Sequence, residues 1–127
     1  MTVQGFTDQG STKADTLIAG EFPRVSEMVT VTGGKYTRGT ILAQVTASGK
    51  YTVCVPTAEG RTADGSETPC AILAEAVDAS SADAQAVVHL TGEFNAAALT
   101  AGTGLTVDGL KADLRAKSIF IKTNQGA

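Results

Sequence analysis

The sequence predicts a mostly-β chain with small α elements, folded as one compact β-tulip or barrel-like domain behind an extended N-terminal arm. Three observations predict it. Short β-branched runs recur between Gly, Thr and Ser turns. Helical spacing appears only near the C-terminus. The first 27 residues keep neither a period of two nor one of 3.6.

The size is consistent with this. The chain has 127 residues, enough for one core without disulfides or a structural metal. Hydrophobic residues make up 43% and charged residues 18%, the balance of a water-soluble globular chain. No apolar run approaches the roughly eighteen residues of a membrane span. No basic stretch leading into an apolar one opens the chain, so no signal peptide is expected.

Taken in order, residues 1–27 read as the arm. Polar residues dominate from Met1 to Asp15, and Val3, Phe6, Leu17, Ile18 and Phe22 are scattered apolar anchors with no evident core role. Such a segment buries too little apolar surface to offset its ordering entropy, so it is expected to order on a partner. The β-rich domain is expected over 28–122. Its first strand is Met28–Thr32, ended by Gly33-Gly34. Thr40–Thr46 is a second, and Ala47-Ser48-Gly49 turns it into a third, Tyr51–Val55, stopped by Pro56. Within that third strand Tyr51, Val53 and Val55 are expected on one face and Cys54 on the other.

Thr57–Pro69 is polar, with Asp64-Gly65-Ser66 as turn chemistry, and reads as a surface loop. Cys70–Val77 reads as a buried strand, although its alanines leave a helix open. After a loop over Asp78–Asp83, Gln85–Leu90 is a further strand and Thr91-Gly92-Glu93 its turn. Asn95 is placed to cap a short Ala-rich turn, and Asp108 to cap a helix running to Ala116 or Lys117. Leu110 and Leu114 share one face of that helix, and Asp113 stands one turn before Lys117. Ile119–Ile121 is a last strand, and 123–127 a polar tail.

Little catalytic chemistry is on offer. Formal charge is −3 and the isoelectric point near 5.0, which argues against a basic nucleic-acid footprint. Charge is uneven: net +1 over residues 1–50, −6 over 51–95 and +2 over the remainder. The acidic middle reads as a solvated face, or as a surface for a basic partner. Gly34-Lys35 and Gly49-Lys50 lack the rest of a phosphate-binding loop, and Gly102-Thr103-Gly104 lacks the third glycine of a dinucleotide site. There is no nucleophile elbow. The single histidine, His89, has no second histidine to share a metal, and reads as a strand residue turned from its apolar neighbours. Asp64, Glu67, Glu75, Asp78, Asp83 and Glu93 include enough carboxylates for glycoside hydrolysis, but two Tyr, four Phe and no Trp leave few sugar platforms. Cys54 and Cys70 match no zinc spacing and read as small core residues. No cofactor and no catalytic residue is expected.

The order of these segments resembles the lambda-type bacteriophage head decoration proteins, the small cement proteins of tailed-phage capsids. The resemblance runs from about Leu17 to Lys122. It is carried by Leu17-Ile18-Ala19-Gly20-Glu21-Phe22, by Gly39-Thr40-Ile41-Leu42-Ala43 with Tyr51 after the turn, and by Ala63-Asp64-Gly65-Ser66. It continues through Ala71–Ser80, Thr91-Gly92-Glu93-Phe94-Asn95 and the helix-to-strand stretch from Leu110 to Ile121. The two cysteines are not part of that pattern.

The resemblance implies a homotrimer on threefold positions of the expanded head, bound to the major capsid protein on the outer surface of the virion. It implies synthesis in the host cytoplasm, no catalysis, no direct nucleic-acid contact and no membrane. It also implies that the arm adds to exposed β structure of the capsid protein. Val3, Phe6, Leu17, Ile18 and Phe22 are then the expected capsid-binding residues. The competing expectation is a β-rich adhesion or tail-associated binding module, also without catalysis.

Overall fold

The computed structural model describes residues 17–18, 23–56 and 63–122. Most of the expected arm, the first half of the expected 57–69 loop and the 123–127 tail lie outside the described residues.

The described residues form nine strands and one α-helix: β1 (Ser26–Val31), β2 (Lys35–Tyr36), β3 (Ile41–Gln44), β4 (Tyr51–Val53), β5 (Pro69–Leu73), β6 (Val77–Asp78), β7 (Ala84–His89), β8 (Gly92–Asn95), α1 (Val107–Arg115) and β9 (Ile119–Lys122). A 3-10 turn, Ala96–Ala98, follows β8. Five strands close into a barrel in the order β1-β4-β3-β5-β7. β2 and β6 form an antiparallel ribbon, and β8 and β9 a parallel pair. The mostly-β, barrel-like reading of the sequence therefore holds.

Two hydrophobic cores share the central strands. Val31, Leu42, Tyr51, Ala71, Leu73, Ala79, Ala86 and Val88 fill the barrel. Leu17, Ile41, Ala43, Cys54, Ile72, Phe94, Leu99, Leu110, Leu114, Ile119 and Ile121 form the second core, with the helix and the β8–β9 pair. β3 and β5 are buried on both faces: Ile41, Ala43 and Ile72 point to one core, Leu42, Ala71 and Leu73 to the other. Two-sided burial explains why their sequences are continuous apolar runs rather than alternating ones.

Several boundaries differ from the sequence reading. β1 starts two residues early, because its ladder with β7 begins at Ser26↔His89. The third strand ends at Val53, but the Cys54 N–H donates to Ile41 O at 3.1 Å in the same register, and Cys54 faces the second core while Tyr51 faces the barrel, on opposite faces as expected. The stretch read as one strand over Cys70–Val77 breaks after Leu73. Glu75 there turns its carboxylate back to accept the Val87 N–H at 3.0 Å, and Val77–Asp78 pairs separately with β2.

Thr91-Gly92-Glu93, expected as a turn, leads straight into β8. Gly92 has φ +145°, a conformation that suits glycine, and the Arg24 stem and the Phe94 ring occupy the space a Cβ would take. The cap of the helix is Thr106 rather than Asp108. Its Oγ1 accepts from the Gly109 N–H at 2.9 Å, while Asp108 lies in the first turn, where its charge suits the helix dipole. Asn95 does cap the 3-10 turn, accepting from the Ala97 N–H at 3.1 Å.

Candidate functional site

The N-terminal approach to the domain is firmly built. Leu17 is fully buried in the second core, and its carbonyl accepts the Asn95 N–H at 2.8 Å. Ile18 forms an antiparallel bridge with Phe94. The short segment Leu17-Ile18 thus lies along one edge of β8, and β9 along the other. Farther on, Thr91 Oγ1 donates to Pro23 O at 2.8 Å and accepts from Val25 N–H at 3.0 Å, fixing the entry to β1.

This placement corrects one expectation. Leu17 was read as an anchor without a core role, but its side chain is committed to the domain core. Ile18 is half-buried against the same core. Val3, Phe6 and Phe22 lie outside the described residues. The sequence signal was ambiguous: two adjacent apolar residues in a polar stretch fit a docking anchor and a core plug equally well.

A second consequence concerns the two chain ends. Lys122 pairs in register with Asn95, whose other side faces Leu17. With strands about 4.8 Å apart, residues 17 and 122 leave one end of a three-stranded array about 10 Å from each other. Leu17 and Lys122 therefore lie at the same end of that array.

Potential reactive groups are all absorbed in structural roles. Asp64 accepts from Ser66 N–H at 3.0 Å and Ser66 Oγ at 2.6 Å, and Asp78 accepts from the Ser80 N–H and hydroxyl. These hydroxyl and amide bonds hold the Asp78 carboxyl below its ordinary range. Asp83 is lowered in the same direction, mainly by Lys50, whose Nζ lies 2.6 Å from its carboxylate. Glu93 meets Lys122 at 3.6 Å. His89 Nδ1 is 2.9 Å from Ser26 Oγ and its ring lies 5.5 Å from that of Phe94, a half-buried strand position as expected.

Both cysteines are free. Burial pushes the Cys54 thiol up to about 11, and raises that of Cys70 as well, so neither is primed as a nucleophile. Among the described residues there is no group of three His, Cys, Asp or Glu able to hold a metal, and no helix long and apolar enough to cross a membrane.

What stands out instead is an exposed edge. Val25 and Met28 are the two large hydrophobics exposed among the described residues, at 53% and 56%, Val25 just before β1 and Met28 within it. No curated protein matches the chain. The model of the family described as bacteriophage lambda head decoration protein D matches residues 7–119. That match takes in most of the sequence, and the chain belongs to the bacteriophage lambda head decoration protein D family, a structural protein of the phage capsid and not an enzyme.

Proposed function

We propose that this protein is a capsid cement that binds as a homotrimer to the outer surface of the expanded head, contacts the major capsid protein there, and stabilises the shell against the internal pressure of packaged DNA. The observation that carries the reading is the family match across residues 7–119. The N-terminal arm is the capsid-binding element. Val3, Phe6 and Phe22 dock on the capsid protein, with Ile18 at the root of the arm and Leu17 as the plug that fixes that root to the domain.

The physical route is β-augmentation. Backbone hydrogen bonds between the arm and an exposed capsid strand give affinity, and alternate side chains set the register. The rigid root supports this, because an arm leaving a fixed point reaches a smaller volume than one on a loose tether. Three arms on one trimer add avidity when all engage at once. A protein that binds the expanded lattice and not its precursor shifts the equilibrium towards the mature shell by mass action. No contact with nucleic acid or membrane enters this account.

The test is to add purified protein to expanded and to unexpanded heads lacking decoration, and to follow co-sedimentation and heat stability. Binding confined to expanded heads, with a higher disruption temperature, is expected. Equal binding to both, or none, contradicts the reading.

A further inference from the structure

The seams of the barrel are unequal. β1 pairs with β7 over its whole length, from Ser26↔His89 to Val31↔Ala84. β3 pairs three residues with β4 and three with β5, and β5 pairs two with β7. β1 and β4 run parallel and share one register pair, Val31↔Tyr51. There the Thr32 N–H donates to Tyr51 O at 2.8 Å. In a parallel ladder the next bond would run from Val53 N–H to Thr32 O. Thr32 O accepts instead from the Tyr36 hydroxyl, at 3.2 Å. The backbone ladder that closes the barrel thus stops almost as soon as it starts.

Side chains from outside the barrel strands take over the fastening. Gly33, at φ +92°, turns the chain after β1, and Gly34 leaves room for the Tyr36 ring, which would lie 3.1 Å from a Cβ there. Tyr36 thereby folds back over the seam. Its hydroxyl holds Thr32 O, at the end of β1, and lies 3.1 Å from Thr52 Oγ1 of β4. The ring packs against the barrel core, and the β2–β6 ribbon holds it from behind through Tyr36↔Val77 and the Ala79 N–H, 2.8 Å from Gly34 O. Just before β4, Lys50 Nζ lies 2.6 Å from the carboxylate of Asp83, which also accepts a hydrogen bond from the Thr32 side chain. Asp83 immediately precedes β7, so this bridge reaches from β4 to β7 across β1.

We infer that the β1–β4 seam is a latch: the Tyr36 strap and the Lys50–Asp83–Thr32 bridge hold it shut, and the barrel opens there while its other ladders and the second core stay folded. Opening gives up one register pair and these side-chain contacts, whereas parting β1 from β7 breaks a full-length ladder. The buried residues of the second core include none from β1, so that core is spared. The open form is a continuous sheet in the order β4-β3-β5-β7-β1. Its two outer strands present free edges, β1 near Thr32 and β4 over Tyr51–Val53, and free edges take up further strands. The latch therefore sets how often the barrel offers an edge for strand addition. Openings of this kind are local, and belong to the low end of the range of stabilities within a domain.

Hydrogen exchange of single amides in the full-length protein, followed by NMR in increasing sub-denaturing urea, tests the latch. The Thr32 amide should exchange at least tenfold faster than those of Val29 and Val88 in the β1–β7 ladder, and its rate should hardly rise with urea. Tyr36→Phe and Asp83→Asn should each speed Thr32 at least threefold, because both remove contacts that only the closed form makes. Thr106→Ala weakens the helix cap in the closed and the open form alike, so it should speed Val29 and Val88 and leave Thr32 unchanged. A Cβ at position 33 would lie 4.0 Å from that of Thr52, within reach of a disulfide. Gly33→Cys combined with Thr52→Cys should therefore, once oxidised, slow Thr32 to the rate of Val29, and reduction should reverse this. A Thr32 amide that tracks Val29 and Val88 at every urea concentration, or that answers to Thr106→Ala as it does to Tyr36→Phe, overturns the latch, since the barrel then opens only with the whole domain. If the cysteine pair does not close, wild type and the three single variants decide the matter by the same criteria.

Discussion

The two cores differ in where their residues come from. The buried side chains of the barrel core come from Val31 to Val88. The second core reaches from Leu17 to Ile121 and closes only when both ends of the chain are in place. The barrel thus closes without the chain ends, through the β1–β7 ladder, whereas the second core, built on two of the same strands, needs both ends. The comparison also changes how the arm is read. Its root is a member of the second core, so Leu17 itself is committed to the domain and not to a partner.

The largest expected effect follows at Leu17. Leu17→Ala should cost about 3 kcal/mol by leaving a cavity in the second core. Leu17→Asp, which buries an unpaired carboxylate, should prevent the domain from folding. Denaturant titration of both variants checks this. A Leu17→Ala midpoint equal to wild type would remove the segment from the core.

Gly39 tests the seam between the two cores. It has φ +95°, and a Cβ there would overlap the carbonyl oxygen of Ala98. Its N–H donates to Leu73 O at 2.8 Å and its carbonyl accepts from Thr100 N–H at 3.0 Å, so the backbone has no room to move. Gly39→Ala should lose about 2–3 kcal/mol in a thermal or urea melt, combining left-handed strain with that overlap.

Cys54 gives the second core a pH signature that the barrel core lacks in its aliphatic positions. The thiol is raised from an ordinary 9.0 to about 11, by burial first and then by repulsion from Cys70, Asp113 and Glu67. The folded state keeps the proton that the unfolded chain releases. Stability is therefore full below about pH 9 and falls as pH rises towards 11, by about 2 kcal/mol. Urea melts at pH 8 and pH 10.5 should show a larger loss in wild type than in Cys54→Ala. The raised Cys70 and Tyr51 groups leave a residual slope in both.

The smallest effect belongs to the helix that covers the second core. Thr106→Ala removes the cap on Gly109 N–H and should cost about 1 kcal/mol. Asp108→Ala should cost less, because Asp108 contributes charge in the first turn and not the capping bond.

The sequence made the barrel legible because its strands carry their own signals. Ile41-Leu42-Ala43 and Ala71-Ile72-Leu73 are apolar without interruption, the mark of strands buried on both faces. Asn95 and the Leu110–Leu114 pair located the 3-10 turn and the helix for similar reasons. The second core was harder, since it is completed by short segments at both ends of the chain that carry little signal of their own. Nothing in Leu17-Ile18 announces a bridge to Phe94, and Thr91-Gly92-Glu93 looks like a turn until its parallel partner β9 is in place. The β2–β6 ribbon was missed because two-residue strands have no period to detect. The exposure of Val25 and Met28 was equally hidden: Val25 falls within the expected arm and Met28 opens the expected first strand, and neither reading tells that both stand in solvent.

The division between domain and arm is tested most directly by removing Met1 to Asp15 and measuring two things on the same sample, the urea midpoint and the binding to expanded heads. This account predicts a midpoint within about 0.5 kcal/mol of wild type, because Leu17 and the second core are intact, and a loss of head binding of at least a hundredfold through three missing arms. A truncated protein that decorates heads as well as the full chain, or one that no longer folds, would contradict it.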